Sequence, residues 1–143
     1  MEVMIARAPE EMDAVFSLRH TVFMEEQQVD TENEKDSHEE ESMHFLLRVG
    51  GKPAGAGRLR IVDGNGKAER VCVLKDNRNS GSGRLLMAAM ESFAAKKGLP
   101  AIILNAQSHA IGFYEKLGYS IISEEFIEAG IPHQTMKKDL ASN

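Results

Sequence analysis

Val71-Cys72-Val73-Leu74-Lys75-Asp76-Asn77-Arg78-Asn79-Ser80-Gly81-Ser82-Gly83-Arg84 reads as an apolar strand, a glycine-bearing loop and the first turn of a helix. Val71 to Leu74 are β-formers, and beyond the loop Leu85, Leu86, Ala89, Met90, Phe93 and Ala94 recur at helical spacing. The loop therefore lies at a helix N-terminus, where free backbone N–H groups and the positive end of the helix dipole converge. Gly81 and Gly83 let an anion approach the main chain because no Cβ intervenes. Arg78 and Arg84 add guanidinium groups suited to phosphate.

A P-loop requires Gly-Lys-Ser/Thr at its end, and Gly83-Arg84-Leu85 does not supply it. A dinucleotide-binding fingerprint requires a third glycine where this chain has Leu86. The remaining pattern, Arg-x-x-Gly-x-Gly after a strand, resembles the pyrophosphate loop of the GNAT superfamily of N-acetyltransferases. Downstream, Leu104-Asn105-Ala106-Gln107 and then Phe113-Tyr114-Glu115-Lys116-Leu117-Gly118-Tyr119 resemble the second half of the same core, in the same order. The resemblance runs from Val3 to Met136. It is closer still to a group of small stand-alone bacterial GNAT proteins, through Arg19, Val22, Phe23, Glu26 and Gln27, through Asn105-Ala106-Gln107, and through Glu128-Ala129-Gly130-Ile131-Pro132-His133.

The 143 residues suit a single domain, 1–143, able to bury a core without staples. One cysteine allows neither an internal disulfide nor a thiolate zinc site, which suits a reducing compartment. Met1-Glu2-Val3-Met4 has no basic or apolar leader character, and no apolar run reaches membrane-spanning length, so a soluble, cytoplasmic protein without a membrane partner is expected. The net charge of −5 is uneven: residues 25–41 hold nine acids against Lys35, a net −8, which leaves +3 for the rest. No broad basic face remains for nucleic acid. The acids with His38 and His44 match no metal-binding spacing, so no metal is expected.

In chain order, Met1 to Arg7 reads as a strand, and Pro9 with Glu10 and Glu11 opens a helix. Met12, Val15, Phe16, Val22 and Phe23 form its apolar stripe; Arg19 interrupts it and is expected to pair with a following acid. The stretch 25–41 reads as a helical turn and a loop. Met43–Val49 and Pro53–Val62 form a hairpin about Gly50-Gly51, and Asp63-Gly64-Asn65-Gly66 is read as the next turn before a strand from Lys67 to Leu74. The helix from Gly83 ends at Lys96 and Lys97 before Gly98 and Pro100. Ala101–Leu104 reads as a buried parallel strand, and Ser108–Leu117 as a second helix. Tyr119–Ile127 and Gln134–Leu140 are expected to pair around residues 128–133. The expected fold is α/β (α+β): an antiparallel N-terminal meander, a parallel β-α-β crossover with splayed strands, a C-terminal antiparallel pair, and helices on both faces.

The resemblance implies acetyl-coenzyme A as co-substrate, its pantetheine arm between the splayed strands and its pyrophosphate on Arg78, Asn79, Ser80, Gly81, Ser82, Gly83 and Arg84. It implies that Val71 and Val73 offer backbone groups, with the Val73 N–H or a neighbour polarising the thioester carbonyl. Asn105 helps to fix the arm, and Tyr114 donates a proton to the departing thiolate. Two-residue alternation along a strand would place Glu69 on the face of Val71 and Val73, which makes it the first candidate for the general base; Glu128 and His133 are second. Cys72, on the opposite face, reads as core. Glu26, Glu128 and His133 are candidate acceptor contacts. The acidic stretch, placed beside the acceptor cleft by the resemblance, would concentrate a cationic amine.

The expected activity is thus direct acetyl transfer from acetyl-coenzyme A to a primary amine of a small acceptor, by a monomer or homodimer. A non-catalytic acyl-coenzyme A sensor is the alternative.

Overall fold

The computed structural model describes residues 1–27, 38–39 and 41–140. Asp30, Glu32, Glu34, Asp36 and Glu40 of the acidic stretch lie outside the described residues.

Strand β1 (Glu2–Ala6) leads through Arg7 into helix α1 (Pro9–Arg19), which continues as a π-helical segment, His20–Glu26. Glu11 caps α1 by accepting the backbone N–H groups of Arg7 and Ala8 at 2.8 and 2.9 Å, which holds its carboxyl below the usual range. Strands β2 (Met43–Val49), β3 (Lys52–Val62) and β4 (Asn65–Val73) form the antiparallel meander with β1. The hairpin at Gly50-Gly51 has φ of 59° and 80°, the doubly left-handed geometry whose twist matches the flanking strands. Helix α2 (Ser82–Lys96), strand β5 (Ala101–Gln107), helix α3 (Ile111–Lys116), and strands β6 (Ser120–Ile121), β7 (Phe126–Glu128) and β8 (Ile131–Asp139) follow. The sheet order is β1-β2-β3-β4-β5-β8-β6, with β7 beside β8.

Alternation in β2 shows why the sheet needs a helix on each side. Phe45 and Leu47 join the core under Leu86, Met87 and Met90 of α2, while Leu46 between them joins Val15, Leu18, Val22 and Phe23 on the α1 side. At about 25 cal/mol per Å² of apolar surface removed from water, these two layers supply the bulk of the favourable free energy.

Several boundaries differ from the sequence reading. The second turn is Asp63-Gly64 alone, because two left-handed residues suffice to reverse the chain, and Asn65 and Gly66 already belong to β4. Strand β5 extends past Leu104 to Gln107, paired throughout with β8, and a 3₁₀ turn at Ser108–Ala110 precedes the short α3. The loop read over residues 128–133 contracts to a tight turn at Ala129-Gly130 (φ 52° and 77°), since β8 starts at Ile131.

Two features position the site. Strands β4 and β5 are joined in parallel only at Gly66↔Ile102, Lys67↔Ile103 and Ala68↔Leu104, beyond which they part. Strand β4 also bulges: Arg58 faces Glu69 but Ala56 faces Cys72, so Arg70 and Val71 together stand opposite Gly57, and Arg70 takes φ 53°. Gly55 lets β3 follow this distortion, because a Cβ there would lie 2.8 Å from the Cys72 carbonyl oxygen. Gly55→Ala is expected to cost about 1–3 kcal/mol through the backbone shift it forces, read as a lower urea midpoint at unchanged slope.

Candidate active site

Where β4 and β5 part, a cavity of about 780 Å³ opens, walled by Val71 and Val73 on one strand and Leu104, Asn105, Ala106 and Gln107 on the other. Arg78, Asn79 and Gly83 also line it, and Tyr114 and Phe113 form part of its wall. Glu69, Glu128 and His133 also line it.

Asn79 (φ 62°) and Gly81 (φ 85°) take left-handed conformations that carry the chain into α2, whose first turn contains Gly83. The Ser80 hydroxyl donates to the Asn77 carbonyl at 2.6 Å and lies 2.9 Å from the Ser82 hydroxyl, fixing the loop from within. Ser82 is buried, whereas Ser80, Gly81 and Arg84 are exposed. Arg78 is turned elsewhere than its phosphate role implies: its Nε donates to the Val73 carbonyl at 2.8 Å and an Nη to Glu26 at 2.6 Å. Glu26 is thus held by the loop's own arginine.

Tyr114 is 8% exposed and lies edge-on to Phe113 and Tyr119, with ring centroids 5.0 and 5.7 Å away. Burial, with the Cys72 thiol adding to it, pushes the phenol up to about 12. Cys72 itself is buried among Val22, Phe23 and Leu46, on the α1 side as expected.

The bulge changes the place of Glu69. Without it, Glu69 would share a face with Val71 and Val73; the extra residue puts Glu69 on the other face, level with Arg58. There its carboxylate takes Arg58 at 2.9 Å, Arg60 at 2.7 Å and Lys67 at 3.5 Å. Burial raises its pKa, but the hydrogen bonds and charges of Arg60 and Arg58 outweigh that and hold it below the usual carboxylate range. Arg58 reaches on to Glu39 at 3.0 Å, and Glu39 also takes both Nη atoms of Arg19 at 3.0 and 2.6 Å. The expected Arg19 ion pair is therefore to Glu39. Both arginines are 1% exposed. The sequence reading missed Glu39 and Arg58 as site-supporting residues; the signals were Arg19 interrupting an apolar stripe and an arginine at an inward position of a strand.

Asn105, Gln107 and His133 point to the same side of the sheet as Glu69, since Leu104 and Ala106 between them belong to the α2 core and His133 pairs with Gln107. Asn105 accepts from the Thr135 hydroxyl at 2.9 Å and its amide lies 3.5 Å from Glu128. The His133 ring stacks on Phe126 at 6.0 Å between centroids. Gln107 links Gln27, at the end of the π-helical segment, to His109 by bonds of 2.9 and 2.6 Å.

The profile of the acetyltransferase (GNAT) domain family matches residues 7–140. The uncharacterised N-acetyltransferase YjcF of Bacillus subtilis is 49% identical over 140 residues, which cover 97% of this chain and 100% of that protein. Among solved structures, an acyl-CoA N-acyltransferase from Pseudomonas aeruginosa superposes with a TM-score of 0.85 at 24% identity, covering 96% of this chain and 99% of the other. An aminoglycoside 6′-N-acetyltransferase complexed with coenzyme A superposes with a TM-score of 0.80 at 17% identity, covering 100% and 99%; both likenesses are of fold. Splayed strands, a glycine loop at a helix N-terminus and a family match over nearly the full length agree: the chain is an acetyltransferase of the GNAT family.

Proposed function

We propose that this protein transfers the acetyl group of acetyl-coenzyme A directly to a primary amine of a small acceptor. The observation that carries the proposal is the parting of β4 and β5 after three paired residues, with the cavity opening between them. Strands that part leave N–H and C=O groups without strand partners, and the amide-bearing pantetheine arm supplies complementary ones. Val71 and Val73 carry those groups on one side, and Asn105 stands on the other. The first turn of α2 with Asn79, Ser80, Gly81, Ser82, Gly83 and Arg84 is the place for the pyrophosphate. For the arm to use the Val73 carbonyl, Arg78 must leave it, and the pyrophosphate is the natural destination for that guanidinium.

An alkyl ammonium of pKa about 10.4 is neutral in roughly one molecule in 2500 at pH 7, a cost of about 4–5 kcal/mol. The acceptor end must therefore attract the ammonium and take its proton. Glu128 supplies negative charge there, while Glu69, ionised but matched by Arg58, Arg60 and Lys67, fixes that part of the wall; Glu26 remains a further acceptor contact once Arg78 moves away. Tyr114 faces the departing sulfur. The Val73 N–H, or a neighbour, polarises the thioester carbonyl. Transfer within one complex needs no enzyme nucleophile, in keeping with a buried Cys72.

Acetyl-coenzyme A at about 100 times its dissociation constant adds about 2.7 kcal/mol, which for a chain of this size is a rise of about 8–13 °C in Tm. That rise is expected with acetyl-coenzyme A and not with ATP or NAD. An amine panel with thiol release as readout then tests turnover. Binding without thiol release from any amine would favour an acyl-coenzyme A sensor, and no binding would end both readings.

A further inference from the structure

We propose that His133 is the general base of the acetyl transfer, with Glu128 stabilising the imidazolium that forms; this rests on the acetyl-transfer reading above. His133 Nδ1 lies 2.7 Å from the Ile131 carbonyl oxygen. A carbonyl only accepts, so Nδ1 carries the hydrogen, and the neutral ring has its lone pair on Nε2. The turn at Ala129-Gly130 makes this bond possible by bringing Ile131 to the start of β8, two residues before the ring it orients. Phe126 stacks on the ring face and His133 is only 6% exposed, so the ring is held in one place.

Nε2 lies 3.7 Å from Glu128 Oε2, too long for a shared proton but close enough for charge. A carboxylate at that distance faces the charge that appears on the ring once Nε2 has taken a proton. The cavity wall thus holds a base with a fixed tautomer and an oriented partner, the arrangement that general-base chemistry asks for. From β5, the residue facing His133 is the neutral Gln107. The other ionisable groups among the described lining of the cavity are Glu69, Arg60, Lys67, Arg70 and Cys72 on β3 and β4, Arg78 of the loop, Tyr114 of α3, and His38 and His109. Glu69 is poorly placed to take a proton, since its lone pairs already take three cationic side chains.

Starting from the ammonium form, one proton passes to Nε2, directly or through one water, and then to solvent. The neutral nitrogen forms the C–N bond as the C–S bond breaks, the electron pair leaves with sulfur, and the second N–H proton ends on the thiolate to give free thiol.

The test measures kcat/KM against pH for the wild type, His133→Gln and Glu69→Gln, with two acceptors whose amine pKa values differ. The limb that stays put when the acceptor changes belongs to the enzyme. His133→Gln is expected to lose that limb and about 10²–10³ in kcat/KM, with the acetyl-coenzyme A thermal shift retained. Glu69→Gln keeps the limb. His133→Gly, if it folds as judged by the same shift, regains activity with added imidazole, which a structural role would not produce. A His133→Gln enzyme that keeps its limb and loses less than tenfold overturns the assignment, as does loss of the limb in Glu69→Gln alone. A wild type that releases no thiol with any amine overturns the acetyl-transfer reading itself, and the base with it.

Discussion

Tyr114→Phe should lower kcat by about 10- to 150-fold and leave acetyl-coenzyme A affinity unchanged. The size follows from what a phenol at about 12 can do for a leaving thiolate. An ordinary thiol has a pKa near 8.5, so complete proton transfer from Tyr114 to the sulfur would run uphill by about 3.5 units, roughly 5 kcal/mol. A hydrogen bond that strengthens as charge grows on sulfur carries no such penalty, and one made to an ion is worth about 1.5–3 kcal/mol. In the proposed reaction Tyr114 would therefore act as a fixed donor from a buried position, with the proton that finally neutralises the thiolate coming from the substrate nitrogen. Phenylalanine keeps the ring contacts with Phe113 and Tyr119, so folding is spared. Stopped-flow or steady-state thiol release, beside a titration of the cofactor, separates the two effects; a drop under threefold, or a parallel loss of affinity, would remove Tyr114 from the chemistry.

The sequence carried this much because the elements that build the cavity have strong local signatures. Gly81, Gly83 and the helical period from Leu85 onward mark a strand-to-helix turn, and Gly83 of that turn lines the cavity. The two-sided core was equally legible, since Val15, Phe23, Leu86 and Met90 recur at helical spacing on helices that pack on opposite faces. The face of Glu69 was not legible. Two-residue alternation holds only while a strand is regular, and one bulged residue, Arg70, reverses it. No glycine marks the bulge on β4 itself; what accommodates it lies across the sheet, where Gly55 leaves room for the Cys72 carbonyl and Gly57 for Met90. The role of Glu39 was hidden for a different reason. It is one acid among nine in a stretch without apolar period, and only the fold singles it out by bringing Arg19 and Arg58 to it.

That acid carries the other large effect. Glu39→Ala is expected to destabilise the protein by about 3–5 kcal/mol, the range for removing one partner from a buried ion pair, and to lower Tm by about 10–20 °C. Arg19 and Arg58 are 1% exposed and lose the carboxylate that bridges them, so their desolvation is no longer offset there. By contrast, the Glu26 pair with Arg78 joins side chains 31% and 38% exposed, and Glu26→Gln should cost about 0–1 kcal/mol. The pH dependence follows the same group. Burial raises the pKa of Glu39, but Arg19 and Arg58 outweigh it and bring it to about 2. A carboxyl depressed on folding contributes fully above its unfolded pKa near 4.5, about 3 kcal/mol here, and loses that as pH falls toward about 2. His44, whose Nε2 donates to the Glu39 carbonyl at 2.8 Å, has its pKa lowered chiefly by burial. It must charge on unfolding, so it adds a decline that begins higher, as pH falls through the ordinary histidine range. Urea melts between pH 7 and 3 should therefore show wild-type stability falling in two stages. In Glu39→Ala the lower stage should shrink and the upper one persist, because the burial that lowers the His44 pKa remains. Since Arg58 joins Glu39 to Glu69, the same substitution should also raise the KM of the acceptor amine more than that of acetyl-coenzyme A. Equal changes in both would mean that the buried network holds up the fold without ordering the acceptor end of the site.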